Sequence, residues 1–416
     1  MNFWGITGTN GKTTTTWITA EFLNAQSGRK CGYVTTVEVN TGTRRFYTGY
    51  TTPPLDQLKA IFAEMEANGC TDCVMEVSSH AIHQHRTGDT VFAGGAFTNL
   101  SEDHLDYHKT MAAYFDVKLD FARQIAAAHP ARPDMGRKDL PPYVVCTDGG
   151  YGREMLGAVG NLAVNVIPVS AGADGVNRPD YDLSRLQLAG AYNRSNVLTA
   201  AALAEAAGVE RGTIERVIPT LKPRWGRLEL VENPRVAATV YVDFAHTPDG
   251  LEKVLTAVRG TMSTSDLQPS TSDLQPVLWV VFGAGGDRDP MKRPLMGEVC
   301  ARLADRLVVT SDNPRSEEPR AIIDAILKGV QPSTTDLRPA CHVEPDRRKA
   351  IEYALANAAK GDVIVIAGKG HETTQEIKGV KYPFDDRQIV AEWRALDQRD
   401  DAGFGVHSGQ CMKGRG

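Results

Sequence analysis

No apolar run in this chain approaches the roughly 18 consecutive residues that a membrane-spanning helix needs, and no charged-then-apolar leader opens it. A cytoplasmic protein is therefore expected. Cysteine is sparse: the seven, Cys31, Cys70, Cys73, Cys146, Cys300, Cys341 and Cys411, are odd in number and scattered, unlike a disulfide framework. Cys70 and Cys73 have C-x-x-C spacing, but no second pair follows, and Cys73 begins an apolar run that reads as a buried strand. Excess charge is also missing. A formal net charge of −5 argues against a nucleic-acid partner, although a few local Arg and Lys residues could hold an anionic small molecule.

What the chain does have is an alternation of short apolar runs with helical stretches. Its 416 residues exceed the usual size of one core, so two domains of roughly 200 residues each are expected. Phe3 to Thr7 reads as a strand running into a Gly/Thr loop and then a helix from about Thr13 to Leu23. Cys73 to Val77 and Gly94 to Asn99 read as further buried strands ending in polar residues. Such strand ends, with helices between them, indicate a parallel α/β sheet with its site at the carboxyl ends. An alanine-rich helix, Asn193 to Ala207, precedes Gly208, and Pro219, Pro223 and Gly226 then punctuate the chain, which puts the domain boundary there. Beyond it, Thr239 to Asp243, Val277 to Phe282, Arg306 to Thr310 and Asp362 to Ala367 predict a second parallel α/β domain. The heptad Ser-Thr-Ser-Asp-Leu-Gln-Pro stands twice in tandem over 263–276, and a related heptad fills 333–339. Polar, Pro-terminated repeats bury too little apolar area to order themselves and read as surface loops. From about Arg399 the chain is Gly-rich and reads as a disordered tail.

Gly8-Thr9-Asn10-Gly11-Lys12-Thr13-Thr14 has the chemistry of a nucleotide phosphate loop. Glycines let backbone N–H groups reach phosphate oxygens, and the next helix presents its positive end. Lys12 would sit on the β- and γ-phosphates and Thr13 would hold Mg2+. The spacing departs from the strict G-x-x-x-x-G-K-[ST] pattern, because Gly5 lies one residue too early. Glu76 at one strand end, and Asn99 to His108 after another, offer carboxylates and imidazoles, a ligand set suited to Mg2+ or Mn2+. Zinc is the competing metal, yet these histidines form no H-E-x-x-H arrangement.

Gly5 to Thr14, Glu76 to His80 and Thr98 to His108 together resemble the central domain of Mur ligases, most of all the MurE type. Leu188 to Asn196 is similar to that family's adenine-side segment, and Trp225 to Glu229 to its entry into the last domain. Asp243 to Pro248, Phe282 to Asp289 and Gly368 to Glu372 extend the likeness to about residue 390. The implied fold class is α/β: a P-loop-type parallel-sheet central domain over 1–221, then a Rossmann-like, amino-acid-binding C-terminal domain over 222–398, with 399–416 as tail. By the same resemblance ATP lies between the domains. Gly8, Thr9, Asn10, Gly11, Lys12, Thr13 and Thr14 would hold its phosphates, Asn193 and Asn196 would lie near the base, and Arg227 and Asp243 would close from the second domain. Thr13, Glu76, His104 and Lys118 would serve Mg2+, and Lys12, Glu76, His104 and Lys118 would be the catalytic set. Lys118 aligns with a family lysine that becomes a carbamate, which turns a cation into an anionic oxygen ligand; without the resemblance it would read as a solvated helix lysine. The implied reaction is ADP-forming: a substrate carboxylate attacks the γ-phosphate, and an amine then displaces phosphate from the acyl phosphate. Because hydrolysis competes with both steps, a hinged domain that shuts out water makes sense of two domains.

Ser311 to Arg315 follows a strand, where ligands bind in open α/β domains, and Arg315 could grip a carboxylate through two parallel hydrogen bonds. The segment Asp312-Asn313-Pro314-Arg315 resembles the version that selects meso-diaminopimelate over L-lysine, with Arg288, Gly368 and Glu372 as further contacts. Thr51, Thr52, Ser78, Gln84 and Arg86 would face a UDP-linked muramoyl dipeptide, and Tyr50 stands where the family usually has Asn. The implied partners are these small molecules, acted on by a monomer. Met1 lies only a few residues before the phosphate loop, where family members carry a further domain for the UDP group. A mis-called start, a function borrowed from elsewhere, and a substrate without UDP are the three readings of that. Alternatives to the diaminopimelate enzyme are an L-lysine-adding relative, a folylpolyglutamate synthetase-like or UDP-free ligase, and a nucleotide-binding scaffold without turnover. The retained Lys12, Glu76, His104 and Lys118 argue against the last.

Overall fold

The structure, a computed structural model, describes residues 1–131, 135–172, 179–264, 276–330 and 340–394. The tail, the 333–339 heptad and all but the ends of the 263–276 tandem lie outside these residues. In the N-terminal half the strands are Asn2–Thr7 (β1), Cys31–Val34 (β2), Val39–Asn40 (β3), Arg45–Phe46 (β4), Asp72–Glu76 (β5), Phe92–Phe97 (β6), Pro142–Cys146 (β7) and Asn165–Val169 (β8). They form one sheet in the order β4-β3-β2-β5-β1-β6-β7-β8. The C-terminal half contributes Glu229–Leu230 (β9), Thr239–Asp243 (β10), Leu278–Phe282 (β11), Arg306–Val309 (β12), Ala340–Val343 (β13), Val363–Ala367 (β14), Thr374–Ile377 (β15) and Val380–Pro383 (β16). Its main sheet runs β13-β12-β11-β14-β10-β9, beside a β15-β16 hairpin.

The expected parallel sheets are present, with one correction: β3, β4 and β9 pair antiparallel at sheet margins. These are strands of two residues, joined without the long helical crossover that a parallel neighbour needs. Central strands such as β11 (LWVVF) and β14 (VIVIA) are buried at every residue, because helices cover both faces of a parallel sheet. Alternate residues of β5 and β7 feed two clusters: Val74 and Val144 pack with Trp4 and Ile18, whereas Cys73, Met75, Tyr143 and Val145 pack with Phe97 and Phe121. Pro168 sits in β8, at the sheet edge, where a missing N–H costs no ladder bond.

The segment joining the halves is tightly wound. Trp225, Gly226 and Leu228 all have positive φ, and the Trp225 ring meets Trp17 edge-on at 5.9 Å. A Cβ on Gly226 would lie 2.2 Å from the backbone carbon of Gly370. Only glycine lets these two loops touch.

Candidate active site

β1 lies between β5 and β6, so their carboxyl ends bring together the phosphate loop, Glu76 and the segment from Thr98 to His104. Gly11, at φ +84, turns the chain into the helix Lys12–Ala25. That helix has no side-chain N-cap bond and no acidic residue in its first turn. Its positive end is therefore left for an anion. Lys12 Nζ folds back to donate to the carbonyls of Gly8 (3.0 Å) and Thr9 (2.8 Å). Beneath the loop, Lys118 Nζ donates to the Gly8 carbonyl (2.8 Å) and Thr7 Oγ1 (3.2 Å). From the other half, an Arg227 Nη donates to Thr13 Oγ1 at 3.2 Å, while its buried Nε has no partner. Burial pushes all three cations below their ordinary pKa, and every bond they make here goes to a neutral oxygen.

Glu76, 1% exposed, accepts from Thr13 Oγ1 (2.8 Å) and the Thr36 backbone (2.7 Å) on Oε1, and from Thr36 Oγ1 (3.2 Å) on Oε2. His104, in the left-handed region at φ 56, stands 3.5 Å from Asp103 and 4.9 Å ring to ring from His80. Burial pulls its pKa down to about 4 against the opposing charge of Asp103, so the neutral ring is the form present at neutral pH. Asp243, at the end of β10, accepts from the backbone of Leu228 (2.6 Å) and Ala245 (2.7 Å). Burial raises its pKa, opposed by Arg227. The halves are tied by Asp249, whose Oδ2 accepts from Asn10 (2.7 Å), Ser101 (3.1 Å) and Lys253 (2.8 Å).

Across the cleft, the loops after β11, β12 and β14 converge. Asn313 Nδ2 donates to Glu372 Oε2 at 2.8 Å. The Arg315 guanidinium donates to the Gly286 carbonyl (2.6 Å) and lies 3.6 Å from Glu376. One cavity of about 400 Å3 runs from Thr9–Thr14 and Asn193, past Glu76, His104, Arg227 and Asp243, to Arg288, Asp312, Asn313, Arg315, Gly368 and Glu372.

Two family profiles match the chain: Mur ligase middle domain over residues 6–204 and Mur ligase, glutamate ligase domain over residues 226–370. Among curated relatives, UDP-N-acetylmuramoyl-L-alanyl-D-glutamate--2,6-diaminopimelate ligase of Aquifex aeolicus is 37% identical over 406 residues, covering 94% of this chain and 77% of the relative. The enzyme of the same name from Synechococcus elongatus is 38% identical over 419 residues, covering 96% and 77%. The chain belongs to the Mur ligase family. A solved structure of a diaminopimelate ligase of that name is 30% identical, covers 94% of this chain and 77% of its own, and superposes with a TM-score of 0.56. Mycobacterium tuberculosis folylpolyglutamate synthase, solved with ADP and AMPPCP, shares the fold at 18% identity and a TM-score of 0.58, covering 88% of each chain. The protein is thus an ATP-dependent ligase.

The expected ligase residues do not all reach the cavity. Thr51 lines it, but Thr52, Ser78, Gln84 and Arg86 form a separate cluster next to it: Ser78 N donates to Thr52 Oγ1 (3.0 Å), and Arg86 bonds Gln84 and the Thr52 carbonyl. Gly8, at the start of the loop, and Lys118, bonded to its carbonyl from beneath, do not line the cavity, and the Pro314 carbonyl packs against Gly286. Lys118 is 1% exposed, which corrects the solvated-lysine reading; its helix, Met111–Ala128, buries Tyr114, Lys118, Phe121 and Ile125 on one face. Sequence reasoning missed Thr36, Tyr192, His246, Lys292 and Asp249. Thr36 follows β2 and reaches Glu76 only because β2 pairs with β5, for which the sequence carries no local signal. Asp249 could have been suspected as an acid in the first turn of the helix Pro248–Thr264.

Proposed function

We propose that the chain joins the D-Glu carboxylate of UDP-N-acetylmuramoyl-L-Ala-D-Glu to meso-diaminopimelate, forming ADP and phosphate in peptidoglycan precursor synthesis in the cytoplasm. The observation that carries this is one continuous cavity, with a phosphate loop and the buried Lys12 and Arg227 at one end and the Asp312–Arg315 and Gly368–Glu372 loops at the other. The backbone of the phosphate loop, Lys12 and Arg227 take up the negative charge of the triphosphate, with Asn193 and Asn196 on the side of the base. As the dipeptide carboxylate bonds to the γ-phosphorus and ADP leaves, these preorganised donors stabilise the charge on the phosphoryl oxygens. The amine then attacks the acyl carbon of the acyl phosphate, losing a proton, and inorganic phosphate departs. Asp249 and Arg227, bonded to the loop from the other half, keep water out of the site while the acyl phosphate exists.

The donor set suits Mg2+. Glu76 is a buried carboxylate bonded to the hydroxyls of Thr13 and Thr36, the imidazole of His104 lines the same cavity, and no cluster of three or more acidic, His or Cys ligands exists among the described residues. Mg2+ usually takes one or two carboxylates plus substrate phosphates rather than an all-protein cage. Thr13, Glu76 and His104 would hold it, and when bound it supplies charge neutralisation on the transferring phosphate. Lys118 is buried and held toward its neutral form. An unprotonated Nζ can add to carbon dioxide and release one proton, leaving a carbamate that serves the metal site. A mass increase of one CO2 on the peptide containing Lys118, lost on acidification, is the expected sign.

Arg315 and the carboxylate-rich loops around it support a substrate whose second amino-acid head carries its own carboxylate. ADP release tests the whole reading. It should require the UDP-linked dipeptide and proceed with meso-diaminopimelate far faster than with L-lysine; release with L-lysine alone would overturn it.

A further inference from the structure

Lys369 is fully buried, at 0% exposure, and does not line the cavity. Its Nζ donates to Asn313 Oδ1 and to Glu372 Oε2, both at 3.1 Å. Asn313 in turn donates from Nδ2 to the same Glu372 oxygen at 2.8 Å, and its Oδ1 also accepts from the Glu376 backbone at 2.9 Å. The network fixes the amide orientation, because a flipped Asn313 would set its NH2 group against an ammonium and a backbone N–H. It also engages Glu372 through Oε2, and among the described residues Oε1 has no hydrogen-bond partner. Glu372 and Asn313 both line the cleft. A buried ammonium is costly unless held by such bonds, so its position here is well determined.

We infer that Lys369 is a positioning residue for the amine end of the cleft: it locks Asn313 and Glu372 in one arrangement, presenting a free carboxylate oxygen to the ammonium group of an incoming amino acid. This rests on the proposed assignment of Asn313 and Glu372 to that amino acid. The substrate class it fits is a zwitterionic amino acid whose positive head meets Glu372 Oε1.

The test uses the full chain and steady-state ADP release with the UDP-linked dipeptide. Lys369→Met, which keeps the stem and removes the charge, should raise KM for diaminopimelate about 10- to 100-fold. KM for ATP and the melting temperature should stay close to wild type. Should the Met variant fold poorly, Lys369→Gln, which keeps a donor without the charge, should show the same split to a smaller degree. The double variant Lys369→Met/Glu372→Gln should be no worse than Glu372→Gln alone, since one residue acts through the other. Losses that multiply in the double variant, or an unchanged diaminopimelate KM in both Lys369 variants while Glu372→Gln raises it, overturn the inference and leave the amine site standing. If Glu372→Gln itself leaves that KM unmoved, the amine-site assignment falls and takes the role of Lys369 with it.

Discussion

The two ends of the cleft handle charge in opposite ways. At the nucleotide end, Lys12 and Arg227 are buried cations whose bonds go to neutral oxygens. At the amine end several cations are paired with carboxylates: Lys369 with Glu372, Arg315 with Glu376, Arg293 with Glu317, and behind them Arg347 with Asp386. Glu76, Asp103 and Asp243 favour the charged forms of Lys12 and Arg227 without forming an ion pair with them, and a nucleoside triphosphate would bring the direct anionic partners these buried cations lack. Paired charges suit a zwitterion, which brings one positive head for each negative one and can exchange partners with them. The difference supports the proposed assignment of the triphosphate to one end and the amino acid to the other.

The largest effect should come from emptying the nucleotide end. Lys12→Ala is expected to lower kcat by about 10^3-fold in the ADP-release assay with little change in melting temperature; near-wild-type turnover would break the contrast outright. Next, Arg315→Leu should cut kcat/KM for diaminopimelate about 10- to 100-fold while leaving the much slower L-lysine reaction nearly unchanged. Equal losses with both amines would mean that Arg315 supports the loop and does not read the substrate. Asp249→Ala removes the carboxylate that ties Asn10 and Ser101 to the C-terminal half, and KM for ATP should rise about fivefold with KM for diaminopimelate unmoved.

The smallest effect is one of pH. His108 is stacked on Tyr114 at 4.9 Å and bonded to Ser79 Oγ at 2.9 Å. Burial pulls His104 and His108 down to about 4 from an ordinary 6.5. Between those values the unfolded chain binds more protons than the folded one, so stability is lost as pH falls from about 6.5 to about 4. His108→Phe should flatten part of that slope in melting curves, and an unchanged slope would remove His108 from the account.

Much of the nucleotide end was legible because its parts are contiguous. Gly8, Gly11 and Lys12 sit within five residues, and the loop works through backbone N–H groups and a helix terminus, which are local properties. Glu76 and His104 were legible as polar residues after buried strands. The amine end was less so: its members come from three separate strand ends, and resemblance, rather than spacing, linked Arg288, Asp312 and Glu372. Lys118 could not be read from its own surroundings, since a lysine in an amphipathic helix is ordinarily solvated; here the helix turns it under the phosphate loop. Nor did any local pattern mark Thr36, whose hydroxyl and backbone both serve Glu76.

By itself the sequence determined the alternation of buried strands and helices and the phosphate loop, because each follows from local periodicity or backbone sterics. Only the tertiary structure decided which cations stay unpaired, that Lys369 lies buried between Asn313 and Glu372, and that Asp249 reaches Asn10 across the cleft. Those facts depend on which strand ends become neighbours and how closely the halves approach, and a one-dimensional pattern holds no information about distances between residues that only folding brings together.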